Sequence, residues 1–178
     1  MEEISNHTIY ELLNEKYRRV CLDYVVLLAD GKYEGVDLHR KAIIDAFDIL
    51  NRRFDSGWYV DEDKMVATKS TIAELLILPD DKYYEDRQKV DRNYSIPSLI
   101  PYWFAFLEPP QGTPYLKVDF IEFNDILFHN KKEIEVYRWN DDFSDYFDAG
   151  KEWWGTGLWT TFDADSKEIV VIGASLTD

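Results

Sequence analysis

The stretches 133–139 (EIEVYRW), 157–163 (GLWTTFD) and 168–174 (EIVVIGA) are dense in β-branched and aromatic residues. Such side chains pack best on a pleated surface, so these runs commit the second half of the chain to a sheet. In the first of them Ile134, Val136 and Arg138 fall on one face and Glu133, Glu135, Tyr137 and Trp139 on the other, the period of two that a strand imposes. The last two are joined by DADSK, a turn-rich connection that predicts a β-hairpin. The remainder of the chain must cover that sheet.

The amino-terminal part reads as helical. Thr8 and Glu11 have capping-box spacing, and Ile9, Leu13, Tyr17, Val20, Tyr24, Leu27 and Leu28 recur at three- and four-residue steps up to Gly31, where a left-handed cap would end the run. A helix is expected over residues 9–30. Asp37 is the expected cap of a second, with Ile43, Ile44, Phe47, Leu50 and Phe54 on one face and Gly57 past its end. The linker DGKYEGVD would make the two an antiparallel hairpin.

Residues 58–67 are ambiguous between strand and helix, and STIAELLILP reads as a short helix stopped by Pro79. Charge and tyrosine dominate 80–95, which is expected as an exposed loop or a weakly packed, mobile helix. PYWFAFLEPP, bracketed by prolines, reads as a short strand, VDFIEFNDILF as a helix carrying Phe120, Phe123 and Leu127, and EPPQGTPY as a stiff turn. The expected fold is α+β: an N-terminal helical hairpin plus a short helix, packed on a mostly antiparallel sheet of about four strands from the C-terminal half. Residues 1–178 are expected to form a single domain, with 1–78 mainly helical, 79–98 a charged connection and 99–178 sheet-rich.

Charge narrows the partners. A net charge of −15 repels phosphate backbones and anionic lipid, so direct nucleic-acid contact is not expected, and a basic protein or a cation is what the mean field attracts. Cys21 stands alone and cannot form an internal disulfide, and MEEISNHTIY has neither the basic start nor the apolar run of a secretion signal. No run reaches the ~20 apolar residues of a membrane span. A cytoplasmic, soluble protein is expected, with no membrane association.

The stretch 141–159 (DDFSDYFDAGKEWWGTGLW) alternates carboxylates with large rings. On a helical turn Phe143, Tyr146 and Phe147 would share one side and Asp141, Asp145 and Asp148 the other, the pattern of an amphipathic connector with a solvated acidic face. The repulsion among such aspartates is below roughly 1 kcal/mol and needs no functional cause. In extended backbone Trp153 and Trp154 would point to opposite sides, leaving one of them partly exposed. Trp153, Trp154, Asp145, Asp148 and Glu152 are the candidate binding residues, expected together near one sheet edge, with aromatics supplying affinity and carboxylates steering the encounter. In size, charge and aromatic content the chain resembles small acidic bacterial immunity proteins, which implies a non-enzymatic protein that binds a basic protein partner.

Two other classes stand beside that reading. A small-ligand or carbohydrate module would use Trp153, Trp154, Trp103 or Tyr102 as a stacking surface. A carboxylate hydrolase would need a pair among such residues as Glu108, Asp119, Asp148 and Glu152, and no spacing selects one. DADSKE departs from a calcium loop at Lys167, Glu168 and Ala174. His7, His39 and His129 lie far apart in sequence, and Cys21 sits between Val20 and Leu22 like an inert buried thiol. GTG at 155–157 lacks a dinucleotide fingerprint. No catalytic residue, metal or cofactor is therefore assigned.

Overall fold

The computed structural model describes residues 1–86 and 99–175, with the side chains of Asp86 and Trp153 outside the described set. Six strands form one antiparallel sheet: β1 (Glu2–Glu3), β2 (Asp23–Leu28), β3 (Ala67–Thr71), β4 (Ile134–Trp139), β5 (Gly157–Asp163) and β6 (Glu168–Ala174), ordered β1-β2-β6-β5-β4-β3. The hairpin foreseen around DADSK is present, pairing Asp163 with Glu168 and Gly157 with Ala174, and Lys167 takes a positive φ of 59° in its turn.

Helices cover both faces. Helix α2 (Val36–Phe54) buries Leu38, Ala42, Ile43, Ala46, Phe47 and Leu50 against Val25, Leu27, Trp139, Leu158, Phe162, Ile169 and Val171. On the opposite face α1 (Thr8–Glu15), α5 (Tyr102–Leu107) and α6 (Lys117–Leu127), with the short α3 (Ile72–Leu75), enclose Tyr24, Val26, Val136, Trp159, Val170 and Ile172. That second core is largely aromatic, with Tyr17, Phe106, Tyr115 and Phe123 in mutual ring contact. Its buried hydroxyls are satisfied in series: the Tyr24 and Tyr102 hydroxyls lie 2.9 Å apart, Tyr102 donates to Asn124 Oδ1 at 2.9 Å, and Asn124 Nδ2 donates to the Phe120 carbonyl at 2.8 Å.

This double cover explains where the sequence reading fails. The expected helix over 9–30 is two elements. His7, not Thr8, caps α1 by accepting from the Ile9 N–H at 3.3 Å; the helix stops at Glu15, and DYVVLL is the strand β2. A strand buried on both faces is apolar without alternation, so its residues continued the helical period by coincidence. The helical hairpin consequently does not exist: α1 and α2 lie on opposite faces of the sheet. Gly31 does take a positive φ of 97°, but in the turn after β2.

Smaller corrections have similar causes. Gly35, not Asp37, precedes α2, Asp55 at φ 52° ends it with Gly57 beyond, and Phe54 is exposed. Helix α3 forms with a capping box between Thr71 and Glu74 but is over before Pro79. PYWFAFLEPP is the helix α5, because Pro101 has the pre-set φ that opens a helix rather than bounding a strand. Residues 58–66 are extended backbone with a 3-10 turn at Glu62–Lys64, and the following β3 is an outer strand. The first 78 residues thus supply β1, β2 and β3, and the sheet has six strands, not about four. Of the segment 80–95, Asp81–Asp86 is the helix α4, and the part from 87 on lies outside the described residues. Helix α6 and the alternation of β4 are as expected.

Candidate functional site

The acidic, aromatic stretch connects β4 to β5 across one end of the sheet, over its inner strands rather than beside an edge strand. It folds as a 3-10 turn at Asp145–Phe147 followed by α7 (Asp148–Trp153). Ser144 accepts from the Tyr146 N–H at 3.2 Å and starts the turn. Phe143, Tyr146 and Phe147 are buried against Phe47 of α2, which is the amphipathic arrangement the spacing predicts. Asp142, Asp148 and Glu152 are exposed and Asp145 is half-buried.

Asp141 differs from that pattern. It is buried and accepts from the Thr156 hydroxyl at 2.5 Å, tying the start of the connection to its end. Gly150 fits the same closure: a Cβ there would lie 2.6 Å from the Gly155 carbonyl oxygen and 2.9 Å from both Ser175 Oγ and Thr156 Cγ2. Gly150→Ala is therefore expected to lose about 1–3 kcal/mol by overpacking against backbone that cannot retreat, measured as a lower urea midpoint.

Of the two tryptophans in the predicted site, Trp154 is not at the surface. Trp154 is 4% exposed and its Nε1 donates to the Glu108 carbonyl at 3.2 Å. Tyr102 is buried as well, Trp103 is half-buried, and the Trp153 side chain lies outside the described residues. The sequence reading assumed extended backbone at 153–154, whereas α7 ends there and turns Trp154 inward.

What the sequence reading missed is the loop before β3, which packs against this connection. The Asp61 N–H donates to the Phe143 carbonyl at 2.8 Å, and the Tyr59 N–H donates to Asp145 Oδ1 at 3.1 Å. These bonds bring Asp61, Glu62 and Asp63 beside Asp142 and Asp145, and they place Tyr59, 53% exposed, at the margin. Cations are few: Lys64 pairs with Asp61 at 2.9 Å and Lys151 with Asp142 at 3.4 Å. The Asp61 carboxylate holds the exposed Lys64 ammonium above its usual pKa, with weaker help from Asp142. The carboxylates of 61–63 stand out in the sequence, but only the tertiary fold sets them against those of 142–152.

The same end of the sheet carries a cleft of about 470 Å³ bordered by Cys21, Asp23, Phe54, Trp58 and Ser175. Burial pushes the Asp23 carboxyl up, although Tyr146 donates to it at 2.7 Å and Arg53 is near. Burial, and then Asp23, push the Cys21 thiol up too, which disfavours the thiolate a nucleophile requires. The carboxylates considered for hydrolysis have separate partners: Asp119 accepts from the Leu116 N–H at 3.0 Å, and Glu108 from the Tyr83 hydroxyl at 2.6 Å.

The histidines are not isolated in space. His7 lies within electrostatic reach of Glu168 and His129, and burial lowers its pKa. No set of three His, Cys, Asp or Glu side chains is placed to hold a metal ion among the described residues. Nor, among those residues, is any helix long and apolar enough to cross a membrane. Comparison with family models, with curated proteins and with solved structures finds no match to this chain.

Proposed function

We propose that the protein is a non-enzymatic interaction protein that presents an acidic face, made by the loop at 59–63 and the connection at 142–152, to a basic protein partner. The observation carrying this reading is the docking of the two segments through the Asp61–Phe143 and Tyr59–Asp145 hydrogen bonds, which sets Asp61, Glu62 and Asp63 beside Asp142 and Asp145, with Asp148 and Glu152 on the adjoining α7 and with Lys64 and Lys151 paired to Asp61 and Asp142. Like charges held together this way cost stability unless a cation relieves them, and such a field raises the encounter rate of a basic surface. Tyr59 supplies an exposed ring with little entropy to lose. Trp154 contributes from beneath as a support, not as a contact.

The test compares two variants of equal net charge. The first carries Asp61→Asn, Asp63→Asn, Asp142→Asn and Asp145→Asn. The second carries Glu11→Gln, Glu15→Gln, Asp48→Asn and Glu133→Gln, all at exposed positions elsewhere. Proteins retained by the immobilised wild type at low salt are identified by mass spectrometry, and their association rates are then measured. A basic protein is expected to associate on the order of tenfold more slowly with the first variant and near the wild-type rate with the second. Equal slowing in both would reduce the effect to overall charge, and retention of no basic protein would sink the reading.

A further inference from the structure

Arg138 sits in mid-strand on β4, on the face that carries Ile134 and Val136. Its cross-strand neighbours there are Thr68 on β3 and Trp159 on β5. The guanidinium is half-buried, its Nε has no solvent contact and no hydrogen-bond partner, and it forms no ion pair among the described residues. Burial lowers its pKa, and the carboxylate of Asp141 counters this from beyond ion-pair distance. Arginine keeps its charge under such conditions, and a half-buried guanidinium with no ion pair is a ready acceptor of an anionic ligand. The contrast with Arg40 is instructive: its Nε is likewise unpartnered, but its Nη1 pairs with Asp37 at 2.8 Å.

Arg138 borders a groove of about 350 Å³ between β3, α3 and α5. Thr68, Lys69 and Ser70, whose hydroxyl donates to Glu74 Oε2 at 2.8 Å, give it a polar wall, Leu75, Ile77 and Pro101 an apolar one, and Trp159 part of its floor. The combination of one unpaired guanidinium, the Thr68 hydroxyl and an apolar trough has the composition of a small-ligand site. We infer that this groove binds a small carboxylate with an apolar or aromatic body, its oxygens bridging the two Nη atoms of Arg138 and its body lying along Leu75 and Pro101. The end-on fork of a guanidinium matches a carboxylate, and this site lies apart from the acidic face and does not depend on it.

The probe is phenylacetate, titrated into the full chain and followed through the Arg138 Nε–H resonance and Trp fluorescence. Saturable binding at millimolar concentration or below is expected, at least tenfold weaker in Arg138→Met and several-fold weaker in Arg138→Lys, which keeps the charge but loses the fork. Phenylacetamide, neutral and of the same shape, should not compete. Without ligand, Arg138→Met should unfold at or above the wild-type temperature, because the variant removes an unpaired desolvated charge. Three results would each overturn the inference: equal binding by Arg138→Met, no saturation of the wild type by phenylacetate, hexanoate or inorganic phosphate, or a marked loss of stability in ligand-free Arg138→Met, which would assign the charge to the fold.

Discussion

Trp154→Ala is expected to lower the unfolding free energy by about 3–5 kcal/mol, a large share of the 5–15 kcal/mol typical of a domain. The indole is 4% exposed, belongs to the core enclosed by α1, α5 and α6, and donates to the Glu108 carbonyl. Truncation removes that area and opens a cavity under α7, where Gly150 leaves no room for a Cβ beside the Gly155 carbonyl, Ser175 and Thr156. Trp154→Phe keeps most of the ring but not the N–H, so about 1–2 kcal/mol is expected. Urea unfolding with an unchanged m-value measures both. Tyr59→Ala is the counterpart: its ring is exposed, so stability should change by less than about 0.5 kcal/mol while association with a basic partner slows. A Trp154→Ala protein as stable as wild type would return the ring to the surface and reopen it as a contact.

Acid should weaken the fold through His39 well before the carboxylates titrate. His39 is fully buried on α2, with Nδ1 2.8 Å from the Thr160 hydroxyl and Nε2 3.4 Å from that of Tyr33. The donor inventory fixes the direction of this chain. Tyr33 gives its single hydrogen to Glu135 at 2.6 Å, so Nε2 must be the donor to Tyr33. Nδ1 is then an acceptor, Thr160 donates to it, and Thr160 in turn accepts from Trp139 Nε1 at 2.9 Å. The imidazole is neutral, and burial lowers its pKa from 6.5 to about 4, Glu135 opposing and Lys69 assisting.

The sign follows directly from the proton count. Between pH 6.5 and about 4 the unfolded chain holds a proton at His39 that the folded one lacks, so stability is full above 6.5 and falls as pH drops through this window, by about 3 kcal/mol in all. His7, also lowered by burial, acts in the same direction. Asp23 acts in the opposite one: its raised pKa means that the folded state holds the extra proton just above pH 3.8. His39→Gln, which cannot be protonated, should flatten the pH dependence between 6.5 and 4 in urea unfolding. An equally steep profile in that variant would remove His39 as its origin.

How much of this was legible in the chain depends on whether the relevant interaction is local. The period of two in 133–139, the DADSK hairpin, helix α6 and the inward set of Phe143, Tyr146 and Phe147 are consequences of side-chain direction along one element, and each was readable. The DYVVLL strand was not, because a run apolar on every side carries no period of its own, and only the helices on both faces explain its composition. The carboxylates at 145, 148 and 152 could be proposed from their density, but the direction of Trp154 depended on α7, and the arrival of Asp61–Asp63 depended on two hydrogen bonds, one to a backbone carbonyl and one to the Asp145 carboxylate, across some 80 residues of chain.

The sequence by itself determined the charge, the antiparallel hairpin and the amphipathic turn, since these follow from residue type and short-range geometry. Only the tertiary structure decided which aromatic is core, which acidic segments meet, and that Arg138, on an apolar strand face, has no counter-ion among the described residues. Burial and pairing are properties of the neighbours a side chain acquires in space, and spacing along a single strand cannot encode them.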